Sequence, residues 1–147
     1  MAPSESSELP REIVVGISNA PTSHIAARRA VALGAISGAR VHFVTAVEKS
    51  TQEVVGVATD RFVLDSLTLA RESVERFIRT LDTDVEYTVT ALEGMPARAL
   101  LNMATQVNAD LIVVGNVRMQ GIGRVLGSVG SDVVHNAPCS VLVVKTV

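Results

Sequence analysis

The chain has 147 residues, enough for one compact domain with a sizeable core, and a formal net charge of −2, which supplies no global pull toward nucleic acid or an anionic membrane. Hydrophobic residues make up 48 % but aromatics only 3 %, so the core must be built from Val, Leu, Ile and Ala, which suits parallel strands packed between helices. A single cysteine, Cys139, excludes an internal disulfide and fits a reducing compartment such as the cytoplasm.

Residues 1–10 are rich in Ser, Glu and Pro and lack a basic stretch followed by an apolar one. They read as a flexible leader ahead of one domain over 11–147, not as a signal peptide. No apolar run approaches membrane-spanning length. Residues 12–17 form a short apolar run ending in turn residues and are predicted to be the first strand. Helical spacing follows over 22–37, with Ala27, Val31 and Ala35 on one face and Gly38 as the stop. A second strand is predicted over 40–47, and 48–59 has no period and reads as a long loop. Asp60 is placed to cap a helix to about residue 81, with Val63, Leu67, Ala70, Val74, Phe77 and Leu81 on one side. Partial alternation predicts a third strand over 84–91. Gly94 and Pro96 open the next helix, whose inner face is read as Ala97, Leu101, Ala104 and Val107.

The run over 110–115 is unbroken in its apolar character, as expected of a central strand covered on both faces. A glycine-rich connection leads to a short helix over 128–135, stopped near Asn136 and Pro138, and 140–145 is the last strand. Strands alternating with helices predict right-handed crossovers and a three-layer α/β fold with an open parallel sheet.

In such a sheet, ligands bind beyond the carboxyl ends of the strands, where strand order reverses. Two predicted strand ends are relevant: Gly16-Ile-Ser-Asn-Ala20, and Gly115 through Ser128 with further glycines at 121, 123 and 127. Glycine lets backbone N–H groups approach an anion, and a helix N-terminus adds free donors and partial positive charge. The Ser128 hydroxyl is a further donor, and Arg118 and Arg124 carry full charges. A phosphate cradle is one reading; a glycine-rich loop with a capping Ser is the other. Gly121-Ile-Gly123 followed by Gly127 is spaced unlike a dinucleotide fingerprint and begins too far past the strand. No Gly-Lys-Ser/Thr phosphate loop is present.

His24, His42 and His135 have no metal-ligand spacing. His42 alternates with Val41 and Phe43 and reads as structural, His135 as a residue favoured by the helix C-terminus, and His24 as a ligand-facing candidate beside the first strand end. Cys139 reads as a buried unreactive thiol, and Asp110 as a structural group at the end of the sheet opposite the ligand. No Ser/His/Asp set or carboxylate pair stands out.

The span from about Glu12 to Val147 resembles the universal stress protein family. The residues that carry the resemblance are Val14-Val-Gly-Ile17, Gly94-Met-Pro96, Ala109-Asp-Leu-Ile-Val-Val-Gly-Asn116, Leu126-Gly-Ser-Val129 and Ala137-Pro-Cys-Ser-Val-Leu-Val-Val144. The resemblance implies a five-stranded parallel sheet of order 3-2-1-4-5. It also implies a homodimer formed by antiparallel pairing of the last strand, here through Val141, Val143 and Lys145.

One branch of the family binds ATP through Gly, two residues, Gly, nine residues, Gly and Ser/Thr. This chain matches at Gly115, Gly127 and Ser128, has Arg118 at the second glycine, and has eight residues between 118 and Gly127. The Arg118 guanidinium would either obstruct the phosphates or bind them as a fork. Nucleotide-binding members carry Asp where this chain has Ser18, and Ser brings no negative charge for Mg²⁺. The site so implied is Ile17, Ser18, Ala46 near adenine, Gly115, Arg118, Gly127, Ser128 and Val129, with ATP or AMP as ligand. The implied function is a homodimeric stress-response or signalling protein with an adenine-nucleotide site. A nucleotide-free dimeric scaffold and a slow ATP hydrolase are the alternatives.

Overall fold

The computed structural model describes residues 9–47, 58–116 and 127–146. The predicted leader over 1–8, nearly all of the loop after the second strand, and the connection that holds Arg118, Gly121, Gly123 and Arg124 lie outside the described residues. The elements alternate as expected: β1 (Glu12–Gly16), α1 (Pro21–Ser37), β2 (Arg40–Val47), α2 (Ala58–Arg79), β3 (Tyr87–Glu93), α3 (Pro96–Gln106), β4 (Leu111–Gly115), α4 (Ser128–Asn136) and β5 (Ser140–Val144).

All five strands join one sheet of order β3-β2-β1-β4-β5, and every neighbouring pair is parallel. This is the topology predicted from the resemblance. The central strands show why. Ile13, Val14 and Val15 of β1 are all fully buried, as are Ile112 and Val113 of β4, so both faces of these strands are covered. On one face, α1 and α2 pack Ala26, Ala27, Ala30, Val31, Val74 and Ile78 against Ile13, Val15, Val41, Phe43 and Val113. On the other, α3 and α4 pack Ala97, Leu100, Met103, Ala104 and Val133 against Val14, Val44, Ile112 and Val114.

Several expectations need correction. The buried stripe of α1 includes Gly34, and Ala35 is exposed. A Cβ on Gly34 would stand 2.9 Å from Val41 Cγ2, so this glycine sets how closely α1 approaches β2. Gly38 does end α1, at φ 79°, and its N–H donates to the Gly34 carbonyl. In α3 the inward residues are Leu100 and Met103 beside Ala97 and Ala104, and Leu101 is half-buried. The inner face is therefore wider than expected: Ala97 and Ala104 are buried and Leu101 and Val107 pack half-buried on the same core, while Ala99, Leu100 and Met103, absent from the expected stripe, are buried beside them. β3 starts at Tyr87, three residues later than predicted (87 − 84), and runs on to Glu93 to match β2 through Val47. Ile17 lies just past β1 but stays buried, with its N–H donating to the Val44 carbonyl at 3.0 Å.

At the amino end of the sheet, Asp110 Oδ2 accepts the N–H groups of Arg11 at 2.8 Å and Glu12 at 2.9 Å. His42 is buried between Thr88 Oγ1 (2.8 Å from Nδ1) and Glu12 Oε1 (2.7 Å from Nε2), which ties β1, β2 and β3 together. Both residues are structural and lie at the end away from the cleft described next. His135 Nδ1 bonds the Ser131 carbonyl at 2.8 Å, one turn back on α4.

Candidate functional site

Parallel order reverses between β1 and β4, because the chain leaves β1 toward β2 on one side and reaches β4 on the other. A cleft of about 280 Å³ opens beyond the carboxyl ends of β1, β2 and β4. Its floor is the strand ends themselves: Gly16 and Ile17, Val44 and Ala46, Val114 and Gly115. One wall is the β1–α1 turn and the first turn of α1, with Ser18, Thr22 and Ser23. The other is Pro96 and Leu100 of α3 and Ser128, Val129 and Gly130 of α4.

Helix α4 begins after Gly127, whose extended backbone (φ −61°, ψ 162°) turns the chain into the helix. The first intrahelical bond runs from the Ser131 N–H to the Gly127 carbonyl at 2.8 Å. The N–H groups of Ser128, Val129 and Gly130 therefore have no intrahelical acceptor, and these residues line the cleft. Among the described residues, no side chain caps α4. Helices α1 and α3 each begin with proline, which has no N–H to offer. Among the described residues, α4 is thus a helix start that offers free N–H donors and a partial positive charge at the cleft.

The β1–α1 turn is held by its own serines. The Ser18 N–H donates to Ser23 Oγ at 2.9 Å, and Ser18 Oγ accepts the Ala20 N–H at 3.1 Å. Ser23 Oγ in turn has the carbonyls of Ser18 at 3.0 Å and Ala20 at 2.9 Å as acceptors. Asn19 Oδ1 accepts the Ser73 hydroxyl at 3.0 Å and fixes the turn to α2. At the other strand end, Asn116 Oδ1 accepts both the N–H (2.7 Å) and the hydroxyl (3.0 Å) of Thr146. A Cβ on Gly115 would stand 3.2 Å from Thr146 Cγ2, and one on Gly16 would stand 3.2 Å from Leu100 Cδ1. Both glycines are therefore accounted for by close protein neighbours at the strand ends.

Of the residues read from the sequence, Ile17, Ser18, Ala46, Gly115, Ser128 and Val129 all line this one cleft. Gly127 is buried at the start of α4, and Arg118 lies outside the described residues. Sequence reasoning missed Thr22, Ser23, Val44, Pro96, Leu100, Val114 and Gly130. Gly130 was within reach, being the third residue of a helix already singled out. Val44, Leu100 and Val114 look like ordinary core residues and reach the cleft only because the layers above them stop short.

His24 departs from expectation. It does not line the cleft; its ring stacks on Phe77 of α2, centroids 4.0 Å apart and planes 18° from parallel. The Arg28 guanidinium stands 5.6 Å over the same Phe77 ring. Burial, and after it the Arg28 charge, push the His24 imidazole below its ordinary value, against a smaller opposing effect of a backbone hydrogen bond at Ser18. Cys139 is half-buried against the α3–α4 side of the core, where the expectation was a buried thiol. Burial and the nearby Asp110 charge push that thiol up.

Among the described residues, strand β5 pairs only with β4 and is an edge of the sheet. Val141 is half-buried against the α3–α4 core, Val143 is 37 % exposed and Lys145 is exposed. No described helix is long and apolar enough to cross a membrane.

The sequence model of the universal stress protein family matches residues 10–145. A universal stress protein of Methanocaldococcus jannaschii is 34 % identical over 141 residues, covering 92 % of this chain and 82 % of that one. Among solved structures, a universal stress protein described in complex with cAMP is 30 % identical, with a TM-score of 0.70, covering 95 % of this chain and 99 % of that one. A universal stress protein of Lactobacillus plantarum aligns with a TM-score of 0.73 at 24 % identity, over 91 % and 97 % of the two chains.

Proposed function

The chain belongs to the universal stress protein family, and we propose that it binds an adenine nucleotide in the cleft between β1 and β4 and acts as a homodimer. The observation that carries the nucleotide reading is the first turn of α4: three backbone N–H groups without intrahelical acceptors, on residues that line a cleft at the reversal of strand order. A relative 30 % identical over almost its whole length is described in complex with cAMP, which favours the same class of ligand.

In this reading the N–H groups of Ser128 and Val129 and the Ser128 hydroxyl face phosphate, with Gly115 and Gly127 shaping the floor and the entry to α4. Ile17 and Ser18 face the ribose, and Ala46 meets the adenine. Occupancy then biases partner binding to the extent that nucleotide prefers one state of the protein. Antiparallel pairing of β5 with its copy would satisfy the open backbone edge and cover Val143.

Titration calorimetry with ATP, ADP and AMP tests the nucleotide reading. Saturable heat at sub-millimolar nucleotide, weakened by Ser128→Ala, is the expected outcome. No heat and no thermal shift at millimolar nucleotide would sink it in favour of a nucleotide-free scaffold. Sedimentation tests the assembly: Val143→Asp is expected to move the protein to the monomer position, and an unchanged dimer rules out pairing through β5.

A further inference from the structure

The β1–α1 turn, one wall of the cleft, is closed on itself by the hydrogen bonds among Ser18, Ala20 and Ser23. Those bonds fix its shape but not its position over the strand ends. Ile17 ties the front of the turn to β2. Behind the turn, Asn19 accepts an exposed hydrogen bond from the Ser73 hydroxyl, and His24 lies flat on Phe77. A neutral exposed hydrogen bond contributes little net, so the ring stack is the stronger of these two ties to α2. Its platform is firm, because Phe77 packs on the core beside Val74 and Ile78, which are buried. The His24 ring also has a backbone hydrogen bond at Ser18, a residue that lines the cleft. His24 thus stands between the cleft wall and α2 without lining the cleft itself.

The stack suits a neutral imidazole. Burial penalises the charged ring, and Arg28, one turn further along α1, stands over the same Phe77 ring at 5.6 Å. A proton on His24 would set two like charges at i and i+4 against one aromatic ring. The backbone bond at Ser18 favours the charged form, but by less. Glu75, Arg76 and Arg79, the charged residues of α2 nearest Phe77 in sequence, are not among the causes of the shift. Protonation therefore favours an imidazole that leaves Phe77, which loosens the tie between the turn and α2. A ligand that touches Ser18 keeps that contact only while the turn is held, so it prefers the neutral state.

We propose that His24 is a positioning residue for the cleft: stacked on Phe77 behind Ser18, it latches the ligand-facing turn to α2, and ligand affinity falls when the imidazole takes up a proton. The ligand part rests on the nucleotide reading above; the latch itself does not. The full chain, His24→Gln and His24→Phe are compared between pH 8 and pH 5. NMR follows the imidazole, hydrogen exchange of the Ser18 and Ala20 amides relative to the unfolded chain reports the turn, and calorimetry with cAMP reports the cleft. cAMP is the probe because its phosphodiester keeps one charge across this range, whereas the phosphate of AMP titrates at about pH 6. In the wild type, amide protection and cAMP affinity are expected to fall together as His24 titrates, the affinity by about fivefold or more. His24→Phe keeps a ring on Phe77 and cannot titrate, so it is expected to match the wild type at pH 8 and to stay level as the pH falls. His24→Gln is expected to start weaker and stay level. A wild-type imidazole that does not titrate in this range, turn amides indifferent to its titration, or cAMP affinity that falls equally in His24→Phe would each overturn the proposal while leaving nucleotide binding intact. So would affinity that rises as His24 gains its proton. No heat with cAMP at any pH would instead remove the nucleotide reading, and turn protection lost with pH in the wild type but not in His24→Phe would still establish the latch.

Discussion

Leu100 and Ile112 are buried members of the same apolar cluster, at 3 % and 0 % exposure, yet truncating them has different consequences. Each change to Ala removes the same number of carbon atoms, and such truncations cost about 2–5 kcal/mol depending on the void left behind. Leu100 lines the cleft, and its methyl groups lie beside Gly16, also a lining residue. The space freed by Leu100→Ala is continuous with the cleft, so water enters it and little closed void remains. The loss should fall near the lower limit, about 2–3 kcal/mol. Ile112 sits mid-strand in β4, does not line the cleft, and leaves a closed apolar void that stays dry. At ~24 cal/mol per Å³ of void, Ile112→Ala should cost about 4 kcal/mol. Urea unfolding followed by circular dichroism reads the difference. With a slope of about 2 kcal/mol per molar, the two midpoints should differ by about 0.5–1 M, with Leu100→Ala the more stable. Equal midpoints, or Ile112→Ala the more stable, would refute the placement of Leu100 at an open wall.

Three further outcomes follow from named contacts. The folded His24 imidazole titrates below its ordinary value of 6.5, so its contribution to stability is full above that value and is lost as pH falls through the lower folded value; the melting temperature should drop more between pH 8 and pH 5 in the wild type than in His24→Gln, and identical drops would contradict the packing against Phe77. Gly38→Ala places a Cβ at φ 79° with nothing nearby to clash, so the cost is the left-handed backbone alone, about 1 kcal/mol by chemical denaturation, and no loss would contradict the helix stop. Cys139 should alkylate more slowly at neutral pH in the folded protein than in urea, since burial and Asp110 hold its thiol up; equal rates would place the thiol in solvent.

Much of this molecule was legible as a sequence because its strongest signals are local. The unbroken apolar run before Gly115 was read as a strand covered on both faces, which β4 is, and Gly38 marked the end of α1 at its residue. The Leu126-Gly-Ser-Val129 stretch, one of the five that together carry the family resemblance, also marked the start of α4, because a helix terminus is set by the few residues around it. Boundaries at the sheet edge were less legible. β3 shifted because its length is set by pairing with β2, and edge residues have only one neighbour to declare them. His24 was misread because proximity in sequence to Ser18 said nothing of Phe77, which comes from α2 more than fifty residues on (77 − 24).

The sequence by itself determined the order of strands and helices along the chain, the family, and where α4 starts, since each rests on signals carried by local stretches of chain. Tertiary structure alone decided that Thr22 and Leu100 reach the cleft. Those facts depend on where separate layers stop over the strand ends, and that is a property of packing between segments far apart in the chain.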